Sequence, residues 1–201
     1  MKLQAIKTLC VDCGNFVIIN TMEGRQWIGN GFAFYPIEGI NLTKEGIPAL
    51  FDLTTRQVTE MRLKSVESDD PAFSFEPMEY RMESELREED VFAWNGGALY
   101  RILYDASGAI LINETYMKPA RNKEDSYTFF ARTMKNEAPV VAVYGDMFCA
   151  GLILPINTKG TEEILRNMGR IGGMNARRIS QADDGEDAEV GIQAHIDDDT
   201  P

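Results

Sequence analysis

Cys10-Val11-Asp12-Cys13 has the spacing of two chemistries, half of a zinc site or a redox dithiol. Zinc needs two further ligands. Cys149 and carboxylates are what the chain offers, because its single histidine, His195, lies close to the C-terminus. A thioredoxin-type pair opens a helix, whereas here Gly14-Asn15 and the apolar run Phe16–Ile19 follow. The motif therefore reads as two cysteines flanking a strand end, with no metal and no redox role. The same lack of histidine removes Ser-His and Cys-His nucleophilic catalysis from the body of the chain.

The positive cluster is the segment NMGRIGGMNARRIS with the residue before it. Arg166, Arg170, Arg177 and Arg178, interleaved with Gly169, Gly172 and Gly173, suit contact with a phosphate group or with DNA. A helix end followed by a tail explains the same residues, and the acidic C-terminal segment could mask them. No G-x-x-x-x-G-K-[ST] and no strand-linked G-x-G-x-x-G occurs, so no nucleotide cofactor is expected. Asp52, Asp105, Glu114 and Asp146 follow no D-x-D or other ligand spacing. An enzyme would have to work with a metal on carboxylates around Asp105, Glu114 and Asp146. Trp27, Tyr35 and Trp94 suit either a partner-contact surface or the core, and core packing is the commoner use of such side chains.

The charge is uneven. Eight of the 32 acidic residues lie in 181–201, which holds no Lys or Arg, so the other 180 residues carry 24 acids against 20 bases. The body is mildly acidic and the tail is a polyanion, expected to be disordered. The longest apolar run, Met147–Ile156, is interrupted by Gly151 and Pro155 and falls short of the roughly 18 residues of a membrane helix. The first ten residues lack the apolar block of a secretory signal, so the expectation is a cytoplasmic protein without membrane contact.

The elements that must position these groups read as short strands in hairpins. Apolar runs Leu3–Val11 and Phe16–Ile19 are separated by turn chemistry at Gly14-Asn15, as are Trp27–Ile37 at Gly29-Asn30-Gly31 and the runs around Asn95-Gly96-Gly97. Asp105–Gly108 reads as a four-residue hairpin loop and Ser126–Thr133 as a strand. Thr43 caps a helix running to about Phe51, Thr54 with Gln57 makes a capping box, and Val58–Val66 reads as strand. Thr161 starts a further helix. Hairpins without alternating helices favour α+β with antiparallel sheets.

Two stretches resemble each other. Gln26–Leu53 and Pro139–Met168 each carry Gly-Asn/Asp-x-Phe, an apolar strand ending in Pro-Ile, and a Thr-led helix. The fold expected is thus two similar β-hairpin-plus-helix halves, 1–66 and 91–179, joined by a segment at 67–90, with a tail at 180–201. WIGNGFAFYPIEG with its following LFDL, and VAVYGDMFCAGLILPI, resemble uncharacterised prophage-borne proteins of Gram-positive bacteria over most of residues 1–170. That resemblance implies phage biology and brings no activity with it. Repeated antiparallel strands plus one helix are also similar in architecture to a DNA sliding-clamp domain. The clamp similarity implies a replication setting, a homo-oligomer and DNA-facing helices, here carrying Arg166 and Arg170, although the chain is shorter than a usual clamp protomer and has few helices.

The function expected is that of a non-enzymatic, phage-encoded binding protein acting on replication or defence machinery, with a protein partner. Two alternatives stand beside it: an inhibitor whose acidic tail mimics nucleic acid, and a metal-dependent enzyme using carboxylates only.

Overall fold

Leu3, Ile6, Leu9 and Cys10 recur at helical spacing, and in a computed structural model of the chain Leu3–Cys13 is a helix, α1. The structure describes residues 2–75, 83–95, 97–106, 108–121, 126–145 and 148–156. The expected helix from Thr161 and the tail at 180–201 lie outside the described residues. Ile6, Leu9 and Cys10 form the buried stripe of α1, while Gln4, Lys7 and Asp12 interrupt any strand alternation. Gly14 ends the helix in the left-handed region, φ 66°, with its N–H on the carbonyls of Cys10 and Val11. The expected opening hairpin is therefore a helix, a glycine cap and a strand, and the two cysteines flank no strand end.

The remaining helices are short. Thr43 caps a 3-10 turn at Lys44–Gly46 that runs into α2, Ile47–Leu50, with Pro48 in its first turn, where a missing N–H costs little. Thr54 and Gln57 form the reciprocal capping box of α3, Thr55–Glu60. Part of the segment expected as strand is thus helix, and the strand begins only at Arg62.

The strands are β1 (Asn15–Thr21), β2 (Gln26–Gly29), β3 (Ala33–Ile37), β4 (Arg62–Ser68), β5 (Glu83–Asn95), β6 (Ala98–Asp105), β7 (Gly108–Asn113), β8 (Tyr127–Thr133), β9 (Pro139–Gly145) and β10 (Phe148–Ile153). They form a mixed, sheet-dominated α+β fold in the order β4-β1-β2-β3-β10-β9-β8-β5-β6-β7. Neighbours are antiparallel except β1 and β4, which pair in parallel from Asn15↔Arg62 to Thr21↔Ser68, a departure from the all-antiparallel expectation. The connection through β2, β3 and the short helices returns the chain to the starting end of β1, so β4 must run alongside it.

The two similar hairpins lie side by side. β3 and β10, the second strand of each, pair antiparallel with Phe34 opposite Leu152, which sends their turns to opposite ends of the sheet. Gly29 in the first turn admits no side chain, because a Cβ there would stand 1.8 Å from the Ala33 carbonyl oxygen. Residues Met1–Asn157 form one compact unit. Glu67 and Ser68 belong to β4, and residues 90 and 91 are both inside β5.

Alternation along the strands fills two cores. On one face Phe16, Ile18, Ile28, Tyr35, Phe129, Val141, Val143 and Ile153 pack with Ile6 and Leu9 of α1, Ile47 of α2, and Leu103, Ile112 and Met117 from the β6–β7 region. On the other, Val17, Ile19, Trp27, Phe34, Val140, Ala142 and Leu152 are covered by Ala72, Phe73 and Phe75. Ala72 and Phe73 lie in a 3-10 turn at Pro71–Phe73, which Asp70 caps by accepting from the Ala72 N–H, and Phe75 follows it.

β5 serves two sets of partners. Glu83–Leu86 pair with β8, and from Arg87 onward the strand pairs with β6. The register slips between Glu88 and Phe92, a bulge that bends the strand. Leu103 of β6 and Ile112 of β7 share the core that holds Ile6 and Leu9 of α1. The Ile156 N–H donates to the Leu111 carbonyl at 2.9 Å, tying β7 to the chain leaving β10.

Candidate protein-binding surface

The residues singled out from sequence meet different fates. Arg166, Arg170, Arg177 and Arg178 lie outside the described residues. Trp27 and Tyr35 are 0% and 1% exposed, so neither can form a contact surface. The Trp27 indole donates to the Phe73 carbonyl at 2.8 Å and meets the rings of Phe73 and Phe75 edge-on. The Tyr35 hydroxyl donates to the Tyr116 carbonyl at 2.7 Å. Trp94 alone of the three is in solvent, 70% exposed.

The candidate chemistry is dispersed. Cys10 is buried and Cys13 exposed, both free, in the last turn of α1. Burial, reinforced by Cys13, pushes the Cys10 thiol far above its usual range. Burial likewise pushes the Cys149 thiol up to about 11, against the opposing pull of Arg132. Burial thus disfavours the reactive thiolate at both Cys10 and Cys149. Asp105 accepts from the Ser84 hydroxyl at 3.1 Å, Glu114 pairs with arginines, Asp52 sits at a left-handed turn with φ 47°, and Asp146 lies outside the described residues. Among the described residues no three His, Cys, Asp or Glu side chains converge as a metal site, and no helix is long and apolar enough to cross a membrane.

What the fold does present is the far end of the β5–β6 hairpin. β7 stops pairing at Asn113, opposite Tyr100, so the pairs Trp94↔Leu99 and Asn95↔Ala98 project beyond the third strand. Leu99, Arg101 and Leu103 alternate onto one face of β6, and directly opposed residues share a face, which places Phe92 and Trp94 with them. That face begins in the core at Leu103, 0% exposed, and runs outward to Phe92, Trp94 and Leu99, which are 39%, 70% and 36% exposed. Among the described residues, the core face thus continues into an exposed apolar end.

Arg101 marks the transition. Its guanidinium lies 5.2 Å from the Phe92 ring centre and 5.5 Å from that of Phe129. Nε and Nη2 donate to the two Glu114 carboxylate oxygens at 2.8 and 3.1 Å, and Nη1 donates to Glu88. Arg121 donates to Glu114 from its other side at 2.5 Å. A planar fork held on three sides fixes the base of the hairpin. Partial burial pushes the Glu88 carboxyl up, Arg101 opposes this, and the neighbouring Glu114 and Asp90 add to it.

A second concavity, of about 540 Å³, lies where β2, β3 and β10 meet the segment ending at Phe75. It mixes Arg25, stacked 4.9 Å over Phe75, with Glu38, Ile40 and Phe148. Its buried amide, Gln26, is committed to the fold: it accepts from the Leu42 N–H at 2.7 Å and donates to the Leu42 carbonyl at 2.9 Å.

Comparisons with protein-family models, with curated proteins and with solved structures find no match for this chain. The surface rests on its own geometry. Phe92, Leu99 and Arg101 were not singled out from sequence, although one signal was there: two aromatic residues between the acidic run Glu88-Glu89-Asp90 and the turn signal Asn95-Gly96-Gly97.

Proposed function

We propose that this chain is a non-enzymatic binding protein that holds a protein partner through the Phe92–Trp94–Leu99 end of its β5–β6 hairpin. The observation that carries this reading is the exposed indole of Trp94, facing the same way as Phe92 and Leu99 beyond the edge of β7. Aromatic anchors displayed on a rigid strand pair lose little freedom on binding, which is why Trp is enriched at the centres of interfaces. The resemblance to prophage-borne proteins supports a setting in phage replication or host defence.

A photoreactive phenylalanine analogue placed at Trp94, with the exposed Met22 as the control position, tests this in extracts of a Gram-positive host. The expected result is a discrete adduct from position 94 that position 22 does not give and that Leu99→Ser removes. The same adducts from both positions, or none, would overturn the reading.

A further inference from the structure

We infer that the partner segment docking on this hairpin is cationic and amphipathic, setting Lys or Arg side chains against Glu88 and Asp90 and an apolar side chain against Trp94 and Leu99. The inference rests on the hairpin being a docking surface and adds the chemistry of what docks.

The aromatic end of the hairpin is flanked by acid. Glu85, Glu88, Glu89 and Asp90 on β5 are all exposed, with Arg87 the one exposed base among them. The two arginines at the base, Arg101 and Arg121, are already committed to Glu88 and Glu114. The acids Glu85, Glu88, Glu89, Asp90 and Glu114 outnumber Arg87, Arg101 and Arg121, so this corner carries negative charge beyond what its arginines balance.

An aromatic pair beside an arginine would otherwise suit stacked bases of single-stranded nucleic acid. Here Arg101, the arginine against the rings, is 11% exposed and its Nε, Nη1 and Nη2 all donate to carboxylates, and the exposed Arg87 sits among Glu85, Glu88 and Glu89. Phosphates would meet Glu88, Glu89 and Asp90 instead. A segment with bases beside an apolar residue meets charge complementarity and an unsatisfied apolar face at once.

The test uses the full chain with three designed 18-residue amphipathic peptides, Lys/Leu, Ser/Leu and Glu/Leu, and a single-stranded oligonucleotide. Trp27 is buried and Trp94 exposed, so acrylamide quenching of tryptophan emission reads the hairpin, and calorimetry gives the affinity. The Lys/Leu peptide should shield Trp94 and bind about tenfold more weakly in high salt than in low, as exposed charges are screened. Glu88→Gln with Asp90→Asn should weaken it about fivefold. Glu23→Gln with Glu45→Gln, the same change in net charge at exposed residues elsewhere, should leave it unchanged.

If the Ser/Leu or Glu/Leu peptide shields Trp94 as well as Lys/Leu does, and Phe92→Ala abolishes both, the hairpin docks partners but the charge inference is wrong. If the two charge-removal variants weaken binding equally, the attraction is to net charge and the inference is likewise wrong. Shielding by the oligonucleotide alone, or by no probe, would also overturn it.

Discussion

Arg132, with a side chain wholly shielded from solvent, lies directly opposite Glu83 across β8 and β5, and its Nε donates to the Glu83 carboxylate at 2.9 Å. Its Nη1 reaches the carbonyls of Ala72 and Ser74 at 2.9 and 2.8 Å, and Nη2 donates to the Tyr144 hydroxyl. One guanidinium thus ties the 71–75 segment, which covers the Trp27 face, to β5, β8 and β9. Removing it would take the guanidinium from the buried Glu83 carboxylate and from the buried Ala72 carbonyl. Arg132→Ala should cost about 3–5 kcal/mol in urea denaturation, the range for breaking a buried ion pair. A loss below about 1 kcal/mol would show that water replaces the guanidinium.

The three cysteines should separate cleanly with a thiol reagent. Cys13 is exposed, while Cys10 and Cys149 are buried with thiols pushed up by that burial. One equivalent should react in the native protein at pH 8 and three after unfolding. Fast reaction of two in the native state would contradict the packing of α1 or of β10.

Two glycines distinguish close approach from backbone conformation. At Gly29 an added Cβ would meet the Ala33 carbonyl carbon at 2.7 Å as well as its oxygen, and both are backbone atoms that cannot swing aside. Gly29→Ala should therefore prevent the β2–β3 turn from closing and yield little folded protein. At Gly24, with φ 74° and open space around it, Gly24→Ala should cost only about 1 kcal/mol, the strain of a left-handed residue. Thermal melting of the two variants checks the contrast.

Glu88 gives a pH signature. Its folded-state pKa is raised, chiefly by partial burial and further by Glu114 and Asp90, with Arg101 opposing. The folded chain therefore holds this proton more tightly than the unfolded chain does. The sign follows: ionised Glu88 carries a penalty at neutral pH that is relieved as pH falls through its raised pKa. Glu88→Gln should be at least as stable as the parent at pH 7 and lose that advantage toward pH 4. A parent more stable than the variant at pH 7, with the gap closing in acid, would mean that the Arg101 contact outweighs desolvation.

Trp94→Ala should leave stability within about 0.5 kcal/mol, as an exposed side chain away from caps and cores does, and should remove the acrylamide-accessible part of the emission. Only two tryptophans are present, so what remains belongs to Trp27. A large loss of stability would place the indole against the body of the protein.

What could be seen in the sequence was local. The Thr54–Gln57 capping box, the Thr43 cap, Pro48 in a first turn and the turns after Gly29 and at Asp105–Gly108 each depend on neighbours a few residues away. The α+β class followed from them. α1 was misread because Leu9-Cys10-Val11 looks like a strand until burial shows Leu9 and Cys10 inward and Val11 at the margin. Trp27 and Trp94 are the same residue on strands, and their surroundings part them: Phe73 and Phe75 arrive to cover one, and the other stays 70% exposed. The Glu83–Arg132 pair spans 49 positions and the β3–β10 pairing more, and no spacing within one segment announces either.

The place of β10 also sets an order of assembly. Until Phe148–Ile153 leaves the ribosome, β3 and β9 each present an unpaired edge, and the strands before and after the middle of the chain have no ladder joining them. The last described strand to be synthesised is the keystone, entering between two edges that have waited for it. A chain released early would carry both edges exposed, open to pairing with another copy. Translation through Ile153 is thus the step that turns two sticky partial sheets into one continuous ladder.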